Sequence, residues 1–206
     1  MKKKAPMLVL VRHGHSRANA EDRIVSSLEN GVKEEWGLTA LGREQAAGVV
    51  KALREQGHVP SDPSTGFAII SSPFSRALET AQQIADSLAA DGHHDVEIRA
   101  DEALRERYFG VGLEGASSDA YREVWAQDAR DVSVGPGGGG ESVLDVAGRC
   151  EAFIDGIRRS ETADVVFLVS HGDTLSILAT HVGRRGNLSG HRAQGLDNCG
   201  FLVLDS

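Results

Sequence analysis

Two stretches, "MLVLVRHG" at residues 7–14 and "VVFLVSHG" at residues 165–172, share one pattern. Each is an apolar run closed by a polar residue, a histidine and a glycine. Near-continuous apolar runs of this length are what strands covered on both faces of a parallel sheet look like. In open α/β sheets ligands bind outside the carboxyl ends of the strands, so His13 and His171 are expected at one rim of the molecule. The glycines behind them, Gly14 and Gly172, permit close approach of backbone.

Outward from these two runs, further strands are expected at Phe67–Ser71, Val96–Ile98 and Phe201–Leu204. Helical patterns lie between them. Thr39 is placed to cap a helix reaching about Gln56, and Ser72 with Pro73 reads as the N-cap and first position of a helix ending near Ala90. Ser142-Val143-Leu144-Asp145 resembles a capping box, after which Val143, Val146, Ala147, Cys150, Ile154 and Ile157 keep helical spacing. Asp173 or Thr174 is expected to cap a last helix ending near Val182-Gly183. Strand and helix in alternation predict an α/β fold, a three-layer αβα sandwich around a mostly parallel sheet. Residues 109–140 differ: one short helical pattern, Ser118–Ala129, precedes the glycine tract Gly135–Gly140. We read 1–206 as a single domain with a lid or insertion at about 109–140.

Composition narrows the partners. The chain has 206 residues, of which 40% are hydrophobic and 25% charged, with a net charge of −8. That charge argues against a nucleic-acid partner or an anionic membrane surface. No apolar run approaches the ~20 residues of a membrane span. The lysine-rich start has the charge of a signal peptide, but Met7–Val11 is too short for its apolar region and Arg12 ends it, so a cytoplasmic protein is expected. Cys150 and Cys199 form no disulfide framework and no CxxC pair. Oligomeric state is not readable.

Arg76, in "SSPFSRALETA", falls in the first turns of its helix, where free N–H groups and the helix dipole favour anions. Alone it reads as a solvated helix residue. With Arg12 and two histidines at the rim it outlines a phosphate pocket, because guanidinium offers a planar fork for phosphoryl oxygens.

Six motifs in this order, "VRHGHSRAN", "LTALGREQA", "SSPFSRALETA", "LRERYFGVGLEG", "GGGESVLDVAGR" and "LVSHGDTL", resemble those of the histidine phosphatase superfamily, the phosphoglycerate mutase-like proteins. The resemblance covers most of the chain. It implies a phosphohistidine mechanism with His13 as nucleophile. It further implies that Arg12, Arg76 and His171 hold the transferring group, that Ser16 and Asn19 line the substrate pocket, and that Glu106 is the general acid. Glu102 is a second candidate acid, and the spacing Leu104-x-Glu106-x-x-x-Gly110 favours Glu106. No metal or other cofactor is required, two arginines and a histidine standing where other phosphoryl-transfer enzymes use a divalent cation. His15 departs from the family, which usually has Glu or Gln there. It either lines the pocket or faces away.

Other readings compete. His13-Gly14-His15 is also an H-x-H metal pattern that Asp173 could complete, as in metal-dependent hydrolases, although the chain lacks the repeated units of a barrel. Gly110-Val111-Gly112-Leu113-Glu114-Gly115 fits G-x-G-x-x-G but follows a charged segment, and reads as a tight turn. A non-catalytic phospho-ligand-binding protein would be expected to have lost one of these groups. His58, His93, His94, His181 and His191 read as solvated surface residues. Within the family, the modest insertion and short stretch after His171 favour hydrolysis of a small phosphorylated substrate, with cofactor-dependent phosphoglycerate mutase as the alternative. The loop Ala20–Gly37 and the segment Ala116–Gly140 are expected to set the substrate.

Overall fold

The computed structural model describes residues 5–60 and 62–204; the lysines of the N-terminal reading lie outside these residues. Five strands, β1 (Met7–Arg12), β2 (Phe67–Ser71), β3 (Ile98–Ala100), β4 (Val165–Ser170) and β5 (Phe201–Leu204), form one sheet in the order β3-β2-β4-β1-β5. All neighbours are parallel except β5, which runs antiparallel to β1. The helices among the described residues are α1 (Arg17–Ala20), α2 (Leu28–Gly31), α3 (Ala40–Ala47), α4 (Val49–Glu55), α5 (Ser75–Ala90), α6 (Tyr121–Asp128), α7 (Val143–Ser160) and α8 (Gly172–His181).

Strand periodicity sorts the core into two layers. Leu8, Leu10, Val166 and Leu168 meet the α7 and α8 side chains Val146, Cys150, Ile154, Leu175 and Leu178. Val9, Val11, Phe167 and Val169 meet Val50, Leu53, Ala77, Ala81 and Ile84 from α4 and α5 on the other face. Both faces of the central strands are thus covered, which is why β1 and β4 read as unbroken apolar runs. Each fully buried aliphatic or aromatic side chain contributes ~1.5–3 kcal/mol against leaving it in water, so the three layers follow from these residues. None of the described helices is long and apolar enough to cross a membrane.

The two echoing stretches lie side by side, with Leu10 paired to Leu168 and Arg12 to Ser170. The His13 amide donates to Ser170 O at 2.9 Å, so the histidines leave the sheet together.

Several element boundaries differ from the sequence reading. The helix from Thr39 is two helices, because Gly48 closes α3 and opens α4. Strand β3 begins at Ile98 rather than Val96; it is a short, mostly exposed edge, where alternation carries little signal. Helix α5 begins at Ser75, not Pro73. Ser72, preceding proline, is biased to extended backbone, and its Oγ accepts from Phe74 N–H at 3.2 Å. Helix α8 begins at Gly172 behind His171, so Asp173 and Thr174 are first-turn residues rather than caps. The capping box of Ser142 and Asp145 is present as expected. His191 and His93 are buried, contrary to the surface reading. His191 bonds Ser176 Oγ at 2.8 Å, and His93 packs edge-on against Phe67 with centroids 4.7 Å apart. His94 is exposed; His58 and His181 are half-buried.

Residues 109–140 carry a satellite cluster of Phe109, Leu113, Tyr121 and Val124 closed by Ile24. The G-x-G-x-x-G stretch is a turn, as read. Gly110 sits at φ +84°, and a Cβ there would lie 2.2 Å from Gly137 O, so the Gly135–Gly140 tract packs directly on it.

Candidate active site

The carboxyl ends of β1, β4 and β2 deliver His13, His171 and Ser72 to one place. The imidazoles of His13 and His171 lie 5.0 Å apart, edge to face. His13 Nδ1 is 2.7 Å from Gly14 O. A carbonyl can only accept, so Nδ1 carries the proton and Nε2 presents a lone pair. Arg76 Nε donates to that Nε2 at 3.1 Å. Burial, then the charges of Arg76 and Arg12, push His13 well below the ordinary histidine value of 6.5, so the ring is neutral at pH 7. His171 is pushed the same way, by burial first and then by Arg76.

Arg76, at the start of α5, is 4% exposed; Nη2 donates to Val25 O at 3.0 Å and the guanidinium lies 5.0 Å from the Phe74 ring centroid. Burial lowers it to about 10, which leaves it charged at neutral pH. Arg12 donates from Nη1 to Leu196 O at 2.7 Å and rests over Gly172, where a Cβ would only touch it, at 3.6 Å. His171 Nε2 lies 2.7 Å from Ser72 Oγ. Arg12 Nε, Arg76 Nη1 and His171 Nδ1 are buried and have no partner within the protein.

Glu106 is buried against the first turn of α8. Its Oε1 accepts from Thr174 N–H at 3.3 Å, Thr174 Oγ1 at 3.2 Å and Arg107 N–H at 2.9 Å. Burial, then the neighbouring Asp173 carboxylate, raise Glu106 above the usual carboxylate range, with Arg76 opposing. Glu102 is exposed in a short 3₁₀ turn and lines no part of the cavity. Glu141 steadies the Glu106 segment: it accepts from Arg105 Nη2 at 2.6 Å, Tyr108 N–H at 2.9 Å and Arg149 Nε at 3.0 Å.

Ser16 and Asn19 line the cavity, where they form the capping box of α1, Ser16 N–H reaching Asn19 Oδ1 at 3.1 Å. His15 turns away. Its Nδ1 is 3.0 Å from Thr39 Oγ1, and its amide donates to Gln45 Oε1 at 2.9 Å. The Thr39 and Gln45 of "LTALGREQA" therefore hold the histidine loop, and Gly14 and Gly42 let the two backbones touch. A Cβ on Gly14 would lie 2.4 Å from Gly42 O. The H-x-H pair does not converge on a metal, since the free nitrogen of His13 faces a guanidinium. Asp128, Asp173 and His191 form a buried acidic cluster. Arg107 already fills it, bonding Asp128 at 2.6 and 2.8 Å and Asp173 at 3.4 Å.

The cavity has a volume of about 280 Å³. It is also walled by Arg23, Tyr121 and Trp125, which lie in the two segments expected to set the substrate, by Asp173, read only as a possible metal ligand, and by Arg192, which the sequence reading did not single out. Tyr121 stacks on Trp125 at 5.2 Å and the Arg192 guanidinium lies 4.0 Å over the Trp125 ring. No local spacing marks these residues, because four separate segments bring them together.

Residues 8–206 match the profile of the histidine phosphatase superfamily (branch 1). The 2,3-bisphosphoglycerate-dependent phosphoglycerate mutase of Parvibaculum lavamentivorans is 31% identical over 185 aligned positions, covering 86% of this chain and 80% of its own. The glucosyl-3-phosphoglycerate phosphatase of Mycobacterium tuberculosis is 30% identical over 224 aligned positions, covering 94% and 90%. The solved structure of a mycobacterial glucosyl-3-phosphoglycerate phosphatase complexed with VO3 superposes with a TM-score of 0.72 at 26% identity, over 97% of this chain and 90% of that one. With its motifs in order and its two rim histidines on neighbouring parallel strands, the chain belongs to the histidine phosphatase superfamily.

Proposed function

We propose that this protein hydrolyses small phosphomonoesters through a phosphohistidine on His13. One observation carries the reading: three buried nitrogens without a protein partner, Arg12 Nε, Arg76 Nη1 and His171 Nδ1, belong to the residues gathered at His13 (its chain neighbour, the donor to its Nε2 and the ring 5.0 Å away). An unpaired buried donor costs ~1–3 kcal/mol, more when charged, so three at one spot fit a bound anion rather than a resting core. A phosphoryl group presents three equatorial oxygens to such a set.

His13 Nε2 attacks phosphorus in line and the bond to the ester oxygen breaks. Arg12 and Arg76 stabilise the charge on the equatorial oxygens, doing electrostatically what a divalent cation does in other phosphoryl-transfer sites. If Ser72 Oγ–H donates to His171 Nε2, the remaining proton sits on Nδ1 and completes the cradle. Glu106 gives its proton to the leaving oxygen; its carboxylate then takes a proton from water, whose oxygen attacks the phosphohistidine and releases phosphate. Ser16 and Asn19 shape the pocket floor. A cavity of about 280 Å³ suits a small substrate, falling just below the ~300–1,000 Å³ usual for ligand pockets.

The reading extends to one unit over 1–206 with 109–140 as its lid, acting in the cytoplasm on soluble metabolites rather than nucleic acid, in keeping with the net charge of −8. The similarity to a phosphatase over 94% of the chain supports hydrolysis, and the mutase relative keeps the transfer reaction as the second reading. The deciding experiment is a screen of phosphorylated metabolites for phosphate release, with 3-phosphoglycerate interconversion assayed beside it. Phosphate release together with acid-labile, base-stable phosphate on His13 is expected. Interconversion with little release would make the protein a mutase, and turnover surviving in His13→Ala would remove the mechanism.

A further inference from the structure

The steps above leave unused a buried ion cluster behind Glu106. Two adjacent pairs face each other there, Glu106 with Arg107 and Asp173 with Thr174. Glu106 takes Thr174, while Arg107 Nη1 reaches Asp173 Oδ2 at 3.4 Å. Asp173 is 3% exposed and lines the same cavity as Glu106. Trp125 Nε1 donates to it at 3.1 Å and Arg192 Nη1 at 2.8 Å. Arg107 grips Asp128 through both terminal nitrogens, and His191 Nε2 lies 3.4 Å from the same carboxylate. Two guanidinium groups thus balance two carboxylates, and the balance holds only while Arg192 is in place.

Glu106 sits between opposing fields. Arg12 from β1 and Arg76 from α5 favour its ionised form, as does Arg149 from α7, whose Nη2 lies 3.5 Å from Glu106 O. Asp173 from α8 favours the protonated form. Tyr121 from α6, kept neutral by burial, and the neutral His13 and His171 add no charge. A donor acid is useful only while it holds its proton near working pH. Of the acidic groups nearby, Glu141 is taken up by Arg105 and Arg149 and Asp128 by Arg107, whereas Asp173 lines the cavity with Glu106.

We propose that Asp173 is a positioning residue that keeps the proton on Glu106, and that Arg192, from the segment Leu188–Gln194, is the counter-charge that limits this effect. The proposal rests on Glu106 being the acid. It makes the two partners of one ion pair act with opposite signs: losing Asp173 strips negative charge from beside Glu106, and losing Arg192 leaves that charge uncompensated. A purely structural role would give two variants impaired alike.

The test is a ¹³C-carboxyl NMR titration of the full chain labelled in glutamate, with Glu106→Gln identifying the signal. Asp173→Asn is expected to lower the Glu106 midpoint and Arg192→Gln to raise it, each by on the order of one pH unit. The basic limb of kcat/KM for glycerol 3-phosphate should follow in the same directions. Midpoints that move together or stay still overturn the proposal. Should Asp173→Asn fail to fold, Arg192→Gln alone decides, since an unmoved or lowered midpoint refutes it. If the midpoints move as stated while Glu106→Gln still hydrolyses glycerol 3-phosphate with an unaltered pH profile, the coupling stands and the assignment of the acid falls.

Discussion

The inner and outer walls of the cavity are held in different ways. The inner wall, Arg12 and His13 with His171 packed behind them, stands on the ends of two hydrogen-bonded parallel strands with covered faces. Its orientation comes from the sheet, and its polar atoms are left with lone pairs and donors to spare. The outer wall, Trp125, Asp173 and Arg192, stands on a short helix, a helix start and a 3₁₀ segment. Its position comes from ion pairs and ring contacts that engage Trp125 Nε1, both Asp173 oxygens and Arg192 Nη1. The scaffold thus supplies rigidity where the chemistry needs free groups, and side-chain pairing supplies it where the scaffold is short.

Substitutions can break this contrast. The largest effect is expected at His13: His13→Ala removes the nucleophile, and kcat should fall by roughly four orders of magnitude while the fold persists. Arg107→Met tests the outer wall. It leaves Asp128 buried without its guanidinium partner and Asp173 with Arg192 alone, and a chemical-denaturation curve should show ~3–5 kcal/mol of lost stability. Were stability unchanged, the ion cluster would not be what holds the outer wall. Arg76→Met removes one phosphoryl donor and the partner of His13 Nε2; a loss of ~10²–10³ in kcat is expected, with a smaller change in stability than Arg107→Met.

A finer test uses pH. His13 and His171 are both held below their ordinary value of 6.5 by burial. Below about 6.5 the unfolded chain binds protons that the folded chain refuses, so stability falls as pH drops from there and gains nothing further above it. Each histidine contributes at most ~1.4 kcal/mol per pH unit to that slope. Denaturation midpoints between pH 7.5 and 5 should therefore fall less steeply for His171→Asn than for the parent. An identical slope would mean that His171 titrates normally in the fold. The smallest effect is expected at His15, whose ring serves Thr39 outside the cavity; His15→Ala should keep kcat within about threefold.

The inner wall was legible in the sequence because its signals are local. An apolar run sets a buried strand, the residues after it must appear at the strand's end, and two such runs of one pattern must end at one rim. Spacing from Leu104 and Gly110 singled out Glu106, and the fold buries that residue against α8 while it leaves Glu102 exposed. The ends of α5 and α8 were misplaced because their capping residues were already engaged in the site, Ser72 with His171 and Asp173 with Arg107 and Arg192.

By itself the sequence determined the layer order and the pairing of His13 with His171 at one edge. These depend on periodicity and on neighbours along the chain. The tertiary structure alone decided that His13 presents Nε2, that His15 faces Thr39, and that Arg107, Asp128, Asp173 and Arg192 form one charge-balanced cluster beside Glu106. Those contacts join residues far apart in the chain, and a buried charge takes its meaning only from the partners that folding brings within hydrogen-bond reach.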